Sequence, residues 1–250
     1  MTRAPARATG RAMPWESRMR VAIATIAAAA AAGAANASVA VLDPFTLPQA
    51  SGTADLNEDD PSAPFYAYTG SYAALTGSPF GWRSVNTIIT ATAATPEGLA
   101  PAGTASLQST SGGAASFSLY NANAFFVYSA GSTPGTASVD MSGLLANGAA
   151  FQVQLSGLGE GNVGDLTVVL QDVNENLAFY TELDVTSDGL KAIAFESELE
   201  GFDPTAVKFM SLYVASNVAF SGTLSNFTIP APGALALLGA AGLVGARRRR

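Results

Sequence analysis

Cysteine and histidine are both missing from this sequence. Without cysteine there are no disulfides, so the fold rests on its core. Without either residue the usual zinc and copper sites are excluded, because they are built from imidazole and thiolate. Ser-His-Asp and Cys-His catalysis are excluded too, since the base is missing. Positive charge is nearly as scarce away from the two ends. Nine of the twelve Lys and Arg lie in the terminal segments. Residues 38–228 keep only Arg83, Lys191 and Lys208 against eighteen Asp and Glu, a formal charge of −15. Such a surface repels nucleic acid and anionic lipid headgroups, whose recognition depends on Lys and Arg. It favours solubility and attracts divalent cations.

The ends differ in kind from the middle. Arg3, Arg7, Arg11, Arg18 and Arg20 form a basic start, Val21 to Ala34 is apolar and Ala-rich, and Ala35-Asn36-Ala37 is a small-x-small cleavage site. That order predicts a secretory signal peptide over residues 1–37, cut by signal peptidase at Ala35 and Ala37. At the other end Pro230-Ala231-Pro232-Gly233 leads into an apolar stretch to Ala246 and then Arg247, Arg248, Arg249 and Arg250. The stretch from Gly233 to Ala246 is shorter than the roughly 20 residues of a spanning helix. The arginines hold its end on the cytoplasmic side. The expectation is a short apolar helix that engages the inner membrane transiently.

This tail, residues 229–250, resembles the PEP-CTERM sorting signal of Gram-negative bacteria. That signal has a Pro-Glu-Pro motif, a short apolar helix and a basic end. The helix and the Arg run match. The motif departs from the pattern at Ala231, where the family usually has Glu. The resemblance implies an exosortase-like processing partner and delivery to the cell surface or extracellular space.

Residues 38–228 then form one domain, long enough for one good core. Phe151, Val153 and Leu155 alternate with Gln152, Gln154 and Ser156. Leu166, Val168 and Leu170 repeat the pattern, as do Phe117 and Leu119. Leu177, Phe179, Thr181 and Leu183 read as the next such series, and Val207–Val214 as a nearly continuous apolar strand. Period two marks strands. Turn signals separate them at Ser111-Gly112-Gly113, Pro134-Gly135, Gly157 to Gly164, Asp188-Gly189 and Asp203-Pro204. Glu196–Glu200 reads as one short helical turn. The expectation is an all-β domain, an antiparallel β-sandwich of jelly-roll type, flanked by the signal peptide and the C-terminal apolar helix. Its later half resembles, in layout alone, the jelly-roll modules of bacterial surface proteins and of carbohydrate-binding modules.

Two stretches have the composition for calcium. Asp55, Asn57 and Asp59 place oxygen ligands at alternate positions. An EF-hand is excluded, because Asp60 stands where Gly is needed and Tyr66 where Glu is needed. Asp172 and Asn174 repeat the alternation, but Asp and Asn also cap tight turns. No other cofactor is implied. For binding, Phe65, Tyr66, Tyr68, Tyr72, Phe80 and Trp82 cluster before the first clear strand. Exposed Tyr and Trp can stack on the apolar faces of sugars, so Tyr66, Tyr68, Tyr72 and Trp82 are the candidate sugar-binding residues, with Arg83 beside them. The same rings also suit a core. Carboxylates are plentiful, but no pair is singled out by spacing for glycoside hydrolysis. The sequence therefore predicts a non-enzymatic surface or matrix protein of structural or interaction type. The alternative is a carbohydrate-binding module whose partner is extracellular polysaccharide.

Overall fold

Alternating apolar residues pair into strands along almost all of the domain. The computed structural model describes residues 39–51, 54–56, 66–90, 92–95, 98–131 and 133–230. The first strands are β1 (Ala40–Asp43), β2 (Gln49–Ala50), β3 (Ala54–Leu56), β4 (Tyr66–Thr69), β5 (Ala73–Ala74) and β6 (Trp82–Ile89). Then come β7 (Thr92–Thr95), β8 (Gly98–Pro101), β9 (Thr104–Ser109), β10 (Ala115–Tyr120) and β11 (Ala122–Ser129). A helical turn α1 (Ser142–Leu145) runs into a 3₁₀ turn at Ala146–Gly148. The chain ends in β12 (Phe151–Ser156), β13 (Gly164–Asp172), β14 (Leu177–Val185), β15 (Gly189–Glu198), β16 (Val207–Ser216) and β17 (Phe220–Ile229).

Every pairing is antiparallel. One layer has the order β2-β9-β10-β17-β12, with β1 beside β17. The second has the order β14-β13-β16-β11-β6-β4-β3, with β5 also on β6. β15 turns the corner between them, pairing Gly189–Ile193 with β12 and Ala194–Glu198 with β14. β7 and β8 form a separate hairpin. From β10 to β13 successive strands alternate between layers, and β16 and β17 do so again. This is an antiparallel β-sandwich of jelly-roll type, as the alternation predicts. The signal peptide and the C-terminal helix lie outside the described residues.

Inward residues of both layers make one core. Phe126 packs on Phe45 with centroids 5.1 Å apart, Phe151 meets Tyr180 edge-on at 4.8 Å, and Tyr128 approaches Phe227 at 5.9 Å. Each such ring, fully buried, contributes about 1.5–3 kcal/mol. At Gly164 the layers come so close that a Cβ would lie 2.2 Å from the Phe220 ring.

Two expectations need correction. Ala178 and Tyr180 face inward on β14, whereas Leu183 is 62% exposed. The sequence holds apolar residues on both sides of this strand, and the bulge beside Leu166, with Asp184 at φ 54°, shifts the phase again before Val185. Glu196–Glu198 belongs to strand β15, not to a helical turn, because pairing with β14 overrides the helical preference of Glu. The short helical turn is at α1 instead.

The centre of the core holds a polar knot. Arg83 on β6 is wholly buried. It donates to Asp43 Oδ2 at 2.5 Å, Gln49 Oε1 at 2.7 Å, the Leu47 carbonyl at 2.6 Å and Ser109 Oγ at 2.7 Å. Asp43 also accepts from the Phe45 amide at 2.6 Å and the Tyr128 hydroxyl at 2.9 Å. The guanidinium lies 5.1 Å from the Phe126 ring centroid. Burial, then the Asp43 charge, pushes the Tyr128 hydroxyl pKa well above the usual phenol range. The knot ties β6 and β11 of one layer to β9 of the other, and pins residues 43–49 between them. The expectation that Arg83 joins Trp82 in a surface site is therefore overturned, because adjacent strand residues face opposite sides.

Candidate functional site

The outer face of the second layer is built from the alternate residues that the core does not take. On β11 the core takes Ala122, Ala124, Phe126 and Tyr128, which leaves Phe125 and Val127 outward and half-buried. On β16 it takes Met210, Leu212 and Val214, which leaves Phe209, Ser211 and Tyr213. On β13 the outward set is Thr167, Val169 and Gln171.

Register aligns these residues into three rows across five strands. The first row is Asn86, Phe125, Tyr213, Thr167, Thr181. The second is Ser84, Val127, Ser211, Val169, Phe179, and the third is Trp82, Ser129, Phe209, Gln171, Leu177. Phe125 and Tyr213 stack at 4.8 Å with planes 24° apart. Burial raises the Tyr213 pKa while a hydrogen bond with Ser211 opposes the rise, so the phenol stays neutral at physiological pH. None of the fifteen positions carries a formal charge. Asp165 borders the rows at one end and Lys208 at the other. With strands about 4.8 Å apart, a row of five spans roughly 19 Å.

Loops rise at two borders. Tyr72 stands against Ser84 through a hydrogen bond, its pKa raised by burial and lowered in part by that bond. Ser129 Oγ accepts from the Gly135 amide at 2.6 Å. Gly135, at φ +72°, lies so near the Phe209 ring that a Cβ would be 3.1 Å from it. At the β6 end of the first two rows Asn86 and Ser84 are buried, joined by a hydrogen bond from Asn86 Nδ2 to Ser84 Oγ at 2.9 Å. The half-buried part of those rows runs over β11, β16, β13 and β14, with Phe125, Tyr213, Thr167, Thr181, Val127, Ser211, Val169 and Phe179.

The sequence-predicted residues divide. Trp82 ends the third row, half-buried, and Tyr72 stands at the rim of the second. Phe80 is core, with its ring 6.3 Å from Tyr128. β4 pairs Tyr66 with Ile89 and Tyr68 with Thr87, and their rings lie outside the described residues. Asp55 is opposite Ala67 in β3. Asn57 and Asp59 lie outside the described residues, as do Ala35, Ala37, Ala231, Pro232, Gly233 and Arg247 to Arg250. Pro230 is the last residue described, and it is buried.

Asp172 has a structural task. Its buried carboxylate accepts from the amides of Asn174 at 2.8 Å, Asn176 at 2.9 Å and Asp203 at 3.0 Å, and from Asn176 Nδ2 at 3.2 Å. Burial opposes ionisation here, but the hydrogen bonds from Asp203, Asn176 and Asn174 outweigh it and hold the carboxyl below its usual range. It shapes the β13–β14 turn, in which Glu175 takes φ 70°. Among the described residues no three acidic groups converge as a metal would require.

A hollow of about 380 Å³ opens beside α1 between Leu145, Tyr180, Phe195, Glu198, Phe202 and Pro204. Burial, with the Glu198 charge, pushes the Tyr180 pKa up to about 12. Its rings mainly complete the core margin, Tyr180 meeting Phe195 edge-on at 5.4 Å.

No protein-family model matches the chain, and no curated protein matches it in sequence. Several solved structures share part of its shape. An agarase is 10% identical with a TM-score of 0.35, over 47% of this chain and 20% of its own. The family 11 carbohydrate-binding module of a cellulosomal cellulase of Clostridium thermocellum is 12% identical with a TM-score of 0.33, over 72% of this chain and 96% of its own. A family 30 carbohydrate-binding module is 14% identical with a TM-score of 0.32, over 77% of this chain and 86% of its own. The chain spans about a fifth of the length of the agarases it matches. Likenesses of this size carry no conclusion about function.

Proposed function

We propose that this chain is an exported, non-catalytic surface or matrix protein that binds polysaccharide across the outer face of its second layer. The observation that carries the binding reading is the stacked Phe125–Tyr213 pair in a row of uncharged polar neighbours. Apolar ring faces suit the C–H faces of sugars, and Ser211, Thr167 and Thr181 beside them suit sugar hydroxyls. Trp82 and Tyr72, at the border, extend the same chemistry. Depletion by insoluble polysaccharide tests it. Retention lost in the Phe125→Ala/Tyr213→Ala variant, with folding unchanged, is the expected result; equal retention of variant and parent would defeat it.

Export and sorting are supported by the ends of the sequence. Signal peptidase acts at Ala35-Asn36-Ala37. An exosortase-like enzyme acts at Pro230-Ala231-Pro232-Gly233, while the tail and Arg247 to Arg250 hold the chain briefly at the inner membrane. Mass spectrometry of both termini from native cells tests this. A start near Ser38 and an end near Pro230 are expected, and an intact Arg250 on membrane-bound protein would refute sorting. Calcium enters at the Asp55, Asn57 and Asp59 run. A melting temperature raised by Ca²⁺, with the rise lost in Asp59→Ala, is its test.

A further inference from the structure

We infer that the polysaccharide bound by the outer face is an uncharged one; this rests on reading that face as a polysaccharide platform. The argument is one of charge. A carboxylated or sulfated polymer needs cations where it lands, because a charge taken out of water without a partner is costly. The three rows contain no cation. Residues 38–228 have three basic side chains in all. Arg83 is buried and committed to Asp43. Lys191 is on β15, where it donates to Ser187 at 3.1 Å, away from the rows. Lys208 is at the border, its ammonium 5.3 Å from the Phe209 ring centroid. The domain as a whole carries eighteen carboxylates against these three cations, a balance that repels a polyanion within the Debye length, about 8 Å at physiological salt.

The face has what an uncharged sugar needs. Tyr213, Ser211, Thr167 and Thr181 supply hydroxyls that both donate and accept. Phe125 and Val127 supply apolar surface between them. A polycation gains nothing on the floor either, since carboxylates are absent from the rows. It would be drawn only to the acidic surface elsewhere, and salt would release it.

Affinity electrophoresis of the protein purified from its own cells decides the matter. Gels contain hydroxyethylcellulose or galactomannan as uncharged probes, alginate and dextran sulfate as anionic ones, and chitosan as the cationic one. Size-exclusion chromatography with light scattering accompanies them. The expected result is retardation by an uncharged probe, equal at low and high salt, and weakened about tenfold or more in Tyr213→Ala, as loss of one aromatic contact implies. Tyr213→Phe, which keeps the stack, retains most of it. Retardation by alginate, dextran sulfate or chitosan alone, falling as salt rises, overturns the inference and leaves the polysaccharide reading standing. No retardation by any probe overturns both. A dimer that dissociates in Tyr213→Ala assigns the face to a second copy of this chain and overturns both as well.

Discussion

The two sides of the second layer distribute charge in opposite ways. Inside, β6 carries Arg83 into the core, where Asp43, Gln49, Ser109 and the Leu47 carbonyl consume its donors. On the opposite side the same strand sends Trp82, half-buried, and Ser84 and Asn86, both covered, and none of the fifteen row positions is charged. A soluble domain ordinarily does the reverse, since a buried charge is costly unless fully paired. The comparison separates two jobs. The inner charge fixes where residues 43–49 lie between the layers. The outer rows stay neutral in a domain whose formal charge is −15 over residues 38–228.

Breaking the inner side should have the largest effect. Arg83→Met leaves the buried Asp43 carboxyl without its partner, and about 3–5 kcal/mol of stability should be lost in chemical denaturation. Replacing Arg83 and Asp43 together by apolar residues should cost less than the two single changes added, the signature of a coupled pair. Next comes the tight contact between layers. Gly164→Ala drives a methyl into the Phe220 ring and should cost about 1–3 kcal/mol, partly restored by Phe220→Leu.

Asp172→Asn should lower stability near neutral pH by about 1–3 kcal/mol, through weakened turn hydrogen bonds. Its pH dependence gives a sharper test. The folded carboxyl titrates below the unfolded one, so its contribution is complete above the unfolded pKa of about 4 and fades as pH falls through the folded value. The variant should therefore show a shallower loss of stability on acidification than the parent. The outer side should respond least in stability. Phe125→Ala or Tyr213→Ala should cost about 1 kcal/mol, the order of a cross-strand pair, while weakening binding about tenfold or more. A large loss of stability in these two variants would mean that the rings serve the fold rather than a ligand.

Much of this architecture is legible in the sequence. β10 and β12 alternate cleanly because one side meets the core and the other meets water, and β13 does so except at Val169. β14 misleads, since Leu177, Phe179 and Leu183 are apolar yet outward. That outward apolarity is itself a trace of the site. The run Val207–Val214 reads as continuous for the same reason, Phe209 and Tyr213 being outward rings between inward Met210, Leu212 and Val214. In β11, Asn123 to Tyr128 carries rings on both sides, Phe126 and Tyr128 inward and Phe125 outward beside Val127, the mark of a central strand whose outer face is also apolar. What no local pattern supplies is the row. Asn86, Phe125, Tyr213 and Thr167 come from four strands far apart in the chain, and only register brings them together. Of the aromatic cluster, Trp82 and Tyr72 border the outer rows, while Phe80 serves the core. Arg83 next to Trp82 could not have joined it, because a strand sends neighbours to opposite faces.

Hydrogen exchange with and without a soluble uncharged polysaccharide tests the central claim most directly. The account predicts added protection along β6, β11, β13 and β16, centred on the strands of Phe125 and Tyr213. Protection confined to the hollow between Tyr180, Phe195 and Glu198, or to the first layer, would contradict it.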